Sequence, residues 1–326
     1  MDLVESYREE LRFTRKPIPR TLLLALLVAL ALLPWWAPRA WLARGSLVWL
    51  YSIGVIGQNL LMGYAGQISF GQAGFLAVGA YAFGHLRIAG VPFSLSLLAA
   101  GAAAGAVGWL VGFPSLRLKG PYLAIATLGF GTAVYQTFAN VEGLSGGRAG
   151  LAIPPLQPPG TLPRDVWVYC VYFALFLLFT AVAYNLVSSF VGRAFVAIRD
   201  SDLAAEAMGV NLARYKLLAF GVSSFYTGVQ GALLAQYLGH LEPQSFTIQE
   251  TLTFFVAVIV GGLASIEGSV FGAAFAILVP AWLGDFRWAV PVLFGSAILA
   301  VLILEPLGLA GVWLKTRLYF RLWPFR

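Results

Sequence analysis

The stretch TLLLALLVALALLPWWAPRA (21–40) decides the class of fold. An apolar run of about twenty residues has the length of a helix that crosses the hydrocarbon core of a bilayer. Similar runs recur along the whole chain, which is 60% hydrophobic and 11% charged and has a mean hydropathy of +0.82. Soluble domains carry about twice that share of charge. The sequence therefore predicts an all-α polytopic membrane protein, whose helices satisfy their own backbone groups in lipid.

About ten hydrophobic segments follow one another, and several are short or rich in glycine, which indicates that some are broken or re-entrant helices. Trp35 and Trp36 close the first segment. Bulky residues at that point favour a retained helix with an aromatic interface anchor over a cleaved signal peptide. The segments are 21–37, 46–62, 68–86, 93–113, 120–139, 166–190, 216–238, 250–264, 268–284 and 289–308.

Basic residues are spread between the apolar segments, which argues against nucleic-acid binding despite a net charge of +7. With ten crossings and the N-terminus inside, most of the 21 lysines and arginines fall on the inner side, in agreement with the positive-inside rule. Both termini are therefore expected in the cytoplasm. The predicted organisation is an N-terminal segment, a transmembrane domain containing an external and a cytoplasmic loop, and a C-terminal tail: 1–20, 21–308, 140–165, 191–215 and 309–326.

Residues suited to enzymatic or ion-coupled chemistry are sparse. His85 and His240 lie in separate outer-side positions, and the sequence has no HExxH motif and no acidic metal pair. Ser296 sits in an apolar segment without an evident base, so helix packing is favoured over an intramembrane nucleophile. Carboxylates at mid-membrane mark proton and cation pathways. Here they fall at or near segment ends, which disfavours an ion-coupled transporter without removing that class: Glu142, Glu250, Glu267 and Glu305.

Glycine is the residue that the apolar segments do contain. GAAAGAVGWLVG (101–112) places four glycines on one helix face, a pattern typical of close helix packing in lipid. GYAGQISFGQAGFLAVGAYAFG (63–84) mixes six glycines with polar residues, as a broken helix lining a cavity would, although packing alone also explains it. The candidate substrate-pathway residues are Gln67, Ser69, Gly71, Gln72, Gly74 and Thr127.

A second unusual stretch is RDSDLAAEAMG (199–209), which concentrates charge in the predicted cytoplasmic loop. Asp200, Ser201 and Asp202 are candidate N-caps, and Gly209 stands where a C-terminal glycine cap belongs. The pattern predicts a helix of about two turns, which is too short to be stable without packing. Its apolar residues lie outside the membrane, so we favour docking of a cytosolic partner over a solvated loop helix: Leu203, Ala207 and Met208.

This loop, GRAFVAIRDSDLAAEAMGVNLARYKLLAFGVSS (192–224), resembles the cytoplasmic loop of branched-chain amino acid ABC transporter permeases. The resemblance extends in family order over nearly the whole chain and is closest to the subunit that pairs with a second, similar permease. It includes SFGQAGFLAVGAY (69–81), LRLKGPYLAIATLGFG (116–131), LSGGRAGL (144–151) and VIVGGLASIEGSVFGAAF (258–275).

The resemblance implies a transport subunit of the bacterial inner membrane rather than an enzyme. It implies a second permease subunit, two cytosolic ATPases and a periplasmic substrate-binding protein as partners. ATP and Mg²⁺ would bind to the ATPases, and this chain, which has no Walker motif, would bind no cofactor. The short loop helix would sit in a groove of an ATPase. The expected coupling residues are Arg199, Asp200, Asp202, Leu203, Glu206, Met208 and Gly209.

Two positions depart from the family pattern. Ser201 stands where the family often has another charged residue, and Arg148 stands where many relatives have a small or polar one. The same scaffold serves importers of urea and short-chain amides, so these substrates stay open. So does a secondary transporter or channel without an ATPase. No arginine or acid suited to a zwitterion is visible at mid-membrane, as expected if selectivity resides mainly in the binding protein.

Overall fold

The computed structural model describes residues 17–118, 120–147, 150–160, 162–305 and 307–322. Within them the chain consists of helices and connecting loops, with one antiparallel pair of short strands, β1 (Leu151–Ala152) and β2 (His240–Leu241). Residues 1–16 of the predicted N-terminal segment and Arg148 of the predicted external loop lie outside the described residues.

Fourteen α-helices are found in the described residues. They are α1 (Pro17–Leu32), α2 (Arg39–Asn59), α3 (Gln72–Ile88), α4 (Phe93–Gly112), α5 (Pro121–Asn140), α6 (Glu142–Ser145), α7 (Arg164–Ser188), α8 (Phe190–Asp200), α9 (Asp202–Ala207), α10 (Leu212–Leu238), α11 (Ile248–Gly261), α12 (Ile266–Leu283), α13 (Val290–Leu304) and α14 (Gly308–Leu322). Five shorter turns extend or connect them: 3-10 turns at Leu33–Trp35, Phe113–Leu116, Pro243–Phe246 and Gly284–Ala289, and a π turn at Leu60–Tyr64.

Six helical stretches of the described chain are long and apolar enough to cross a membrane, which supports a multi-pass membrane protein. They comprise α2 with its π turn, α4 with the following 3-10 turn, α7, α10, α11 with the preceding 3-10 turn, and α12. Each of the ten predicted segments contains a helix, but α3 has only 17 residues and α13 only 15. Ten crossings and cytoplasmic termini therefore stay predictions.

Helix α10 lies at the centre of the bundle and packs against α2, α3 and α4. The glycine stripe of α4 faces it, because a Cβ built on Gly108 would lie 2.1 Å from Ser224 Oγ, and one on Gly101 would lie 2.8 Å from Val229 Cγ2. The packing interpretation of this stripe is thereby confirmed. Small residues let the helix backbones approach closely where lipid provides no hydrophobic driving force.

Two breaks interrupt the helical backbone. After the π turn that ends α2, residues 65–71 are not helical until α3 begins at Gln72. These residues lie at the junction of two predicted segments, 46–62 and 68–86, so a helix broken at membrane depth stays a prediction. The second break, at residues 262–265, joins α11 to α12 and contains Gly262 at φ +124° and Ala264 at φ +56°. Non-helical backbone at membrane depth must be buried within protein or face water.

Close glycine contact between α3 and α10 provides a test of the packing. A Cβ on Gly79 would lie 2.3 Å from the carbonyl oxygen of Gly228, so Gly79→Ala forces the two backbones apart. We expect a cost of about 1–3 kcal/mol from overpacking. The matched control is Gly129→Ala in α5, where no atom lies within 4 Å of the new Cβ. Thermal unfolding in detergent should show a lower midpoint for the first variant only, and equal midpoints would contradict this packing.

Candidate functional site

The first break is held by a network of buried amide and hydroxyl groups. The Gln72 side chain, fully buried at the start of α3, donates to the Gln58 amide oxygen of α2 and accepts from Thr227 Oγ1 of α10 at 2.6 Å. Gln58 Nε2 in turn donates to the Ser69 carbonyl at 3.0 Å. Buried polar groups must find partners inside the protein, so these side chains fix the broken backbone to two neighbouring helices.

Two threonines supply the hydrogen-bond acceptors that the broken backbone lacks. Phe70 N donates to Thr127 Oγ1 of α5 at 2.9 Å, and Ala73 N donates to Thr251 Oγ1 of α11 at 3.2 Å. Thr251 was not singled out from the sequence. Backbone N–H groups at a helix start have no intrahelical partner, so the two hydroxyls stabilise the start of α3 from both sides.

The predicted pathway glycines bring α3 and α5 together. A Cβ on Gly71 would lie 3.1 Å from the Thr127 carbonyl, and one on Gly74 would lie 2.9 Å from the Phe130 ring. The structure thus places Ser69, Gly71, Gln72, Gly74 and Thr127 around the same break. Gln67 lies at its other end, where its Nε2 is 3.5 Å from the Lys216 carbonyl.

A cavity of about 300 Å³ opens beside the break, between α3, α5 and α11. None of the six predicted pathway residues lines this cavity, but chain neighbours of several do, namely Phe70, Ala73 and Leu128. Contact of the predicted pathway residues with a substrate therefore stays a prediction. The full lining is Phe70, Ala73, Leu128, Gly131, Thr132, Tyr135, Gln136, Phe246, Thr247, Ile248 and Thr251.

The charged loop forms the short helix that the sequence predicts. Of the three candidate caps, Ser201 is the N-cap of α9, and its Oγ accepts from Ala204 N at 3.3 Å. Gly209 adopts φ +82°, which a residue with a side chain rarely adopts, and ends the helical turn. The helix buries Ala205 but leaves Leu203 81% and Met208 85% exposed.

An ion pair ties α9 to α10. Lys216 is 7% exposed, and its Nζ lies 2.9 Å from Asp202 Oδ2, at the first residue of α9. The pairing was not predicted, although a lysine at the start of an apolar segment is a signal that a carboxylate must lie nearby. Asp200, by contrast with Asp202, forms an exposed ion pair, in which Arg199 Nη2 lies 3.0 Å from Asp200 Oδ1.

Arg199 connects the loop to the break. Its Nη1 donates to the Gly63 carbonyl in the π turn at 3.1 Å, and its side-chain stem packs on Gly66, which adopts φ +67°. A Cβ on Gly66 would lie 2.9 Å from Arg199 Cγ, so glycine is required there on two grounds. The loop and the first break are thus in direct contact.

Asn59, the last residue of α2 before the π turn, bonds to the second break and was missed by the sequence analysis. Its Nδ2 lies 3.0 Å from the Gly262 carbonyl and 2.9 Å from the Ser265 carbonyl, and its Oδ1 accepts from Ala264 N at 2.9 Å. These contacts hold Ala264 in its left-handed conformation. The polar pair Gln58–Asn59 inside an otherwise apolar segment was the available signal, since such residues need buried partners.

Glu250 lies deeper than its position in the sequence suggested. It lies at the start of α11, near a segment end, but its Oε2 accepts from Tyr51 Oη at 3.0 Å, and Tyr51 is midway along the membrane-spanning α2. The statement that no acid is visible at mid-membrane is therefore corrected. The physical reason is that the first turn of α11 packs against the middle of α2.

Comparison with known proteins gives the family. The model of the branched-chain amino acid transport system / permease component family matches residues 44–305. The high-affinity branched-chain amino acid transport system permease protein LivM of Escherichia coli K12 is 32% identical over 313 residues, covering 88% of this chain and 74% of the relative. The chain therefore belongs to the family of branched-chain amino acid ABC transporter permeases. No solved structure matches it significantly.

Other relatives are more distant. The probable branched-chain amino acid transport permease protein LivM of Methanocaldococcus jannaschii is 24% identical, covering 81% of this chain and 91% of the relative. The LivH permease of E. coli K12, from the same kind of system, is 24% identical, covering 68% and 78%. The autoinducer 2 import system permease LsrC of Enterobacter sp. 638 is 29% identical over 65% and 62%.

A double-mutant cycle tests the Asp202–Lys216 pair. Asp202→Asn leaves the buried Lys216 ammonium without its counter-ion, which should cost about 1–3 kcal/mol. Adding Lys216→Met removes the unpaired charge and should recover part of that loss. Asp200→Asn, in the exposed pair, should change stability by less than about 0.5 kcal/mol. Unfolding midpoints of the purified variants check this, and additive effects of Asp202→Asn and Lys216→Met would contradict a direct pair.

Proposed function

We propose that this chain is the membrane-spanning permease subunit of an ATP-driven importer for branched-chain or related amino acids in the bacterial inner membrane. Its substrate would be delivered by a periplasmic binding protein. The observation that carries the proposal is the exposed apolar surface of α9, formed by Leu203 and Met208, next to a break in the transmembrane helices. The names of the relatives support the substrate class.

The partner at α9 is a cytosolic ATPase, and the importer has two of them. A helix of six residues is stable only when it is packed, and α9 buries mainly Ala205 against its own chain. Leu203 near its start and Met208 at its C-cap are both exposed, so apolar surface is presented at the two ends of the helix. Glu206 and Asp200 are exposed beside them. Their charges would fix the position at which the helix docks on the ATPase. ATP and Mg²⁺ bind to the ATPases and not to this chain.

Two connections carry motion of α9 to the transmembrane helices. Asp202 pulls on α10 through Lys216, whose carbonyl lies near the Gln67 amide, and Arg199 holds the π turn through the Gly63 carbonyl. Gly209 gives the end of α9 its turn. Coupling between the ATPase-docking helix α9 and the substrate pathway requires an element with two conformations, whose populations depend on events at both sites. In our proposal this element is the break at 65–71.

The second subunit of the pathway is a similar permease. Relatives include both LivM and LivH, two permeases of the same kind of transport system. Four of the six predicted pathway residues are buried in this chain: Gln67, Ser69, Gln72 and Thr127. We therefore propose that the predicted pathway residues shape the break rather than contact the substrate over a large surface. LsrC, a more distant relative, is named as an autoinducer 2 permease, so relatives of this chain differ in substrate. The substrate of this chain must therefore be measured.

Substitution of Leu203 tests the docking surface. Leu203→Glu places a charge on the apolar contact, so we expect loss of ATPase co-purification and at least a tenfold loss of ATP-driven leucine uptake. Leu162→Glu is the matched control, because Leu162 is also an exposed leucine and lies in the predicted external loop. Both variants should insert in the membrane in normal amounts.

Uptake that survives Leu203→Glu would contradict the coupling role of α9. Uptake by the wild-type chain in cells without the ATPases would favour a secondary transporter or a channel instead. If the urea-loaded binding protein stimulates the ATPase and the leucine-loaded binding protein does not, the proposed substrate is urea rather than an amino acid.

A further inference from the structure

The cavity lies where two short helices start. α3 and α11 begin on either side of it, and their first turns are joined by the hydrogen bond from Ala73 N to Thr251 Oγ1. Glu250, next to the cavity-lining Thr251, bonds to Tyr51 midway along α2. The cavity is therefore at mid-height of the bundle, which is where transporters with broken helices hold their solutes.

One side of the cavity is formed by α5 and includes exposed polar residues. Thr132 and Gln136 are four residues apart and are exposed, and both lie within the predicted membrane segment 120–139. By contrast, the exposed residues of α1 include Leu26, Val28 and Leu32. A polar face at membrane depth is expected to face the bundle interior, a water-filled space or a solute.

The lining is divided into an apolar and a polar part. Phe70, Ala73, Leu128, Phe246 and Ile248 contribute apolar surface, while hydroxyl and amide groups come from Thr132, Tyr135, Gln136, Thr247 and Thr251. None of these lining residues is charged. An arrangement of this kind binds a small amphipathic solute without net charge, and it binds weakly enough to release it.

We propose that this cavity is the transit site for an aliphatic amino acid within this subunit. The hydroxyl and amide groups of Thr132, Gln136 and Thr247 face its ammonium and carboxylate groups, and Phe70, Leu128 and Ile248 hold its side chain. This inference rests on the proposed function and adds a location and a size limit to it. The volume of about 300 Å³ is at the lower end of ligand pockets, which suits a small solute.

Thr132→Phe is the decisive variant. Thr132 is exposed, so the larger ring fits without disturbing the fold, but it narrows the cavity. In the assembled importer we expect leucine uptake to fall about tenfold, and the ratio of leucine to valine uptake to fall at least threefold, because one methylene group decides whether the solute fits. Thr132→Ala widens the cavity and should raise uptake of phenylalanine relative to leucine.

Thr137→Phe is the matched control on the same helix. Thr137 is also exposed, and its Oγ1 donates to the carbonyl four residues earlier at 2.8 Å, as that of Thr132 does. It does not line the cavity. Uptake and the leucine to valine ratio should stay within about twofold of wild type, in line with a surface change away from the site.

An equal fall in leucine and valine uptake for Thr132→Phe would overturn the transit site, because a disturbed subunit contact lowers both alike. If the wild-type importer is active and Thr132→Phe and Thr137→Phe change leucine uptake and the leucine to valine ratio equally, the transit site is also overturned. Absence of ATP-driven uptake by the wild-type importer would instead overturn the proposed function, and the transit site with it.

Discussion

The buried hydrogen bonds of Gln72 are the constraint on which the rest of the structure depends. An interrupted helix inside a membrane leaves backbone N–H and C=O groups without partners, and lipid supplies none. Gln72, Gln58 and Thr227 form a side-chain network across α2, α3 and α10, while Thr127 and Thr251 satisfy the backbone of the break. Gln58, Thr127 and Thr251 bond directly to backbone groups at the break and at the start of α3, and Gln72 and Thr227 bond to each other and, through Gln72, to Gln58. The cavity lies beside this break and is lined by Phe70 of the break, by Ala73 of α3, and by residues of α5 and α11.

The same break touches the charged loop 199–209, which is predicted to be cytoplasmic. Arg199 reaches the π turn at Gly63, and Asn59 joins that turn to the second break at Ala264. Through these contacts the loop is connected to both non-helical segments, directly to the first and by way of the π turn and Asn59 to the second. Packed helices resist small deformations, whereas the break is held to its neighbours by a few side-chain hydrogen bonds. We infer that this is why loop and break are adjacent.

Much of the architecture could be predicted from local patterns. Apolar runs indicated the helices, the glycine spacing of 101–112 indicated a packing face, and the caps around 202–207 indicated α9. Contacts between distant residues could not be predicted in this way. Asn59 and Ala264 are 205 residues apart, and the depth of Glu250 depends on where α11 starts rather than on hydropathy. The cavity is formed by three segments, so its lining follows from tertiary packing, which no single stretch encodes.

Hydrogen exchange of the backbone amides of residues 65–71, measured in the assembled importer, tests the central claim most directly. Exchange is compared between the nucleotide-free state and a state trapped with ATP. Our account predicts that exchange in 65–71 changes with nucleotide state, and that Arg199→Met, which removes the hydrogen bond to Gly63, reduces this change. A change confined to residues 202–209, with exchange in 65–71 the same in both states, would contradict the account.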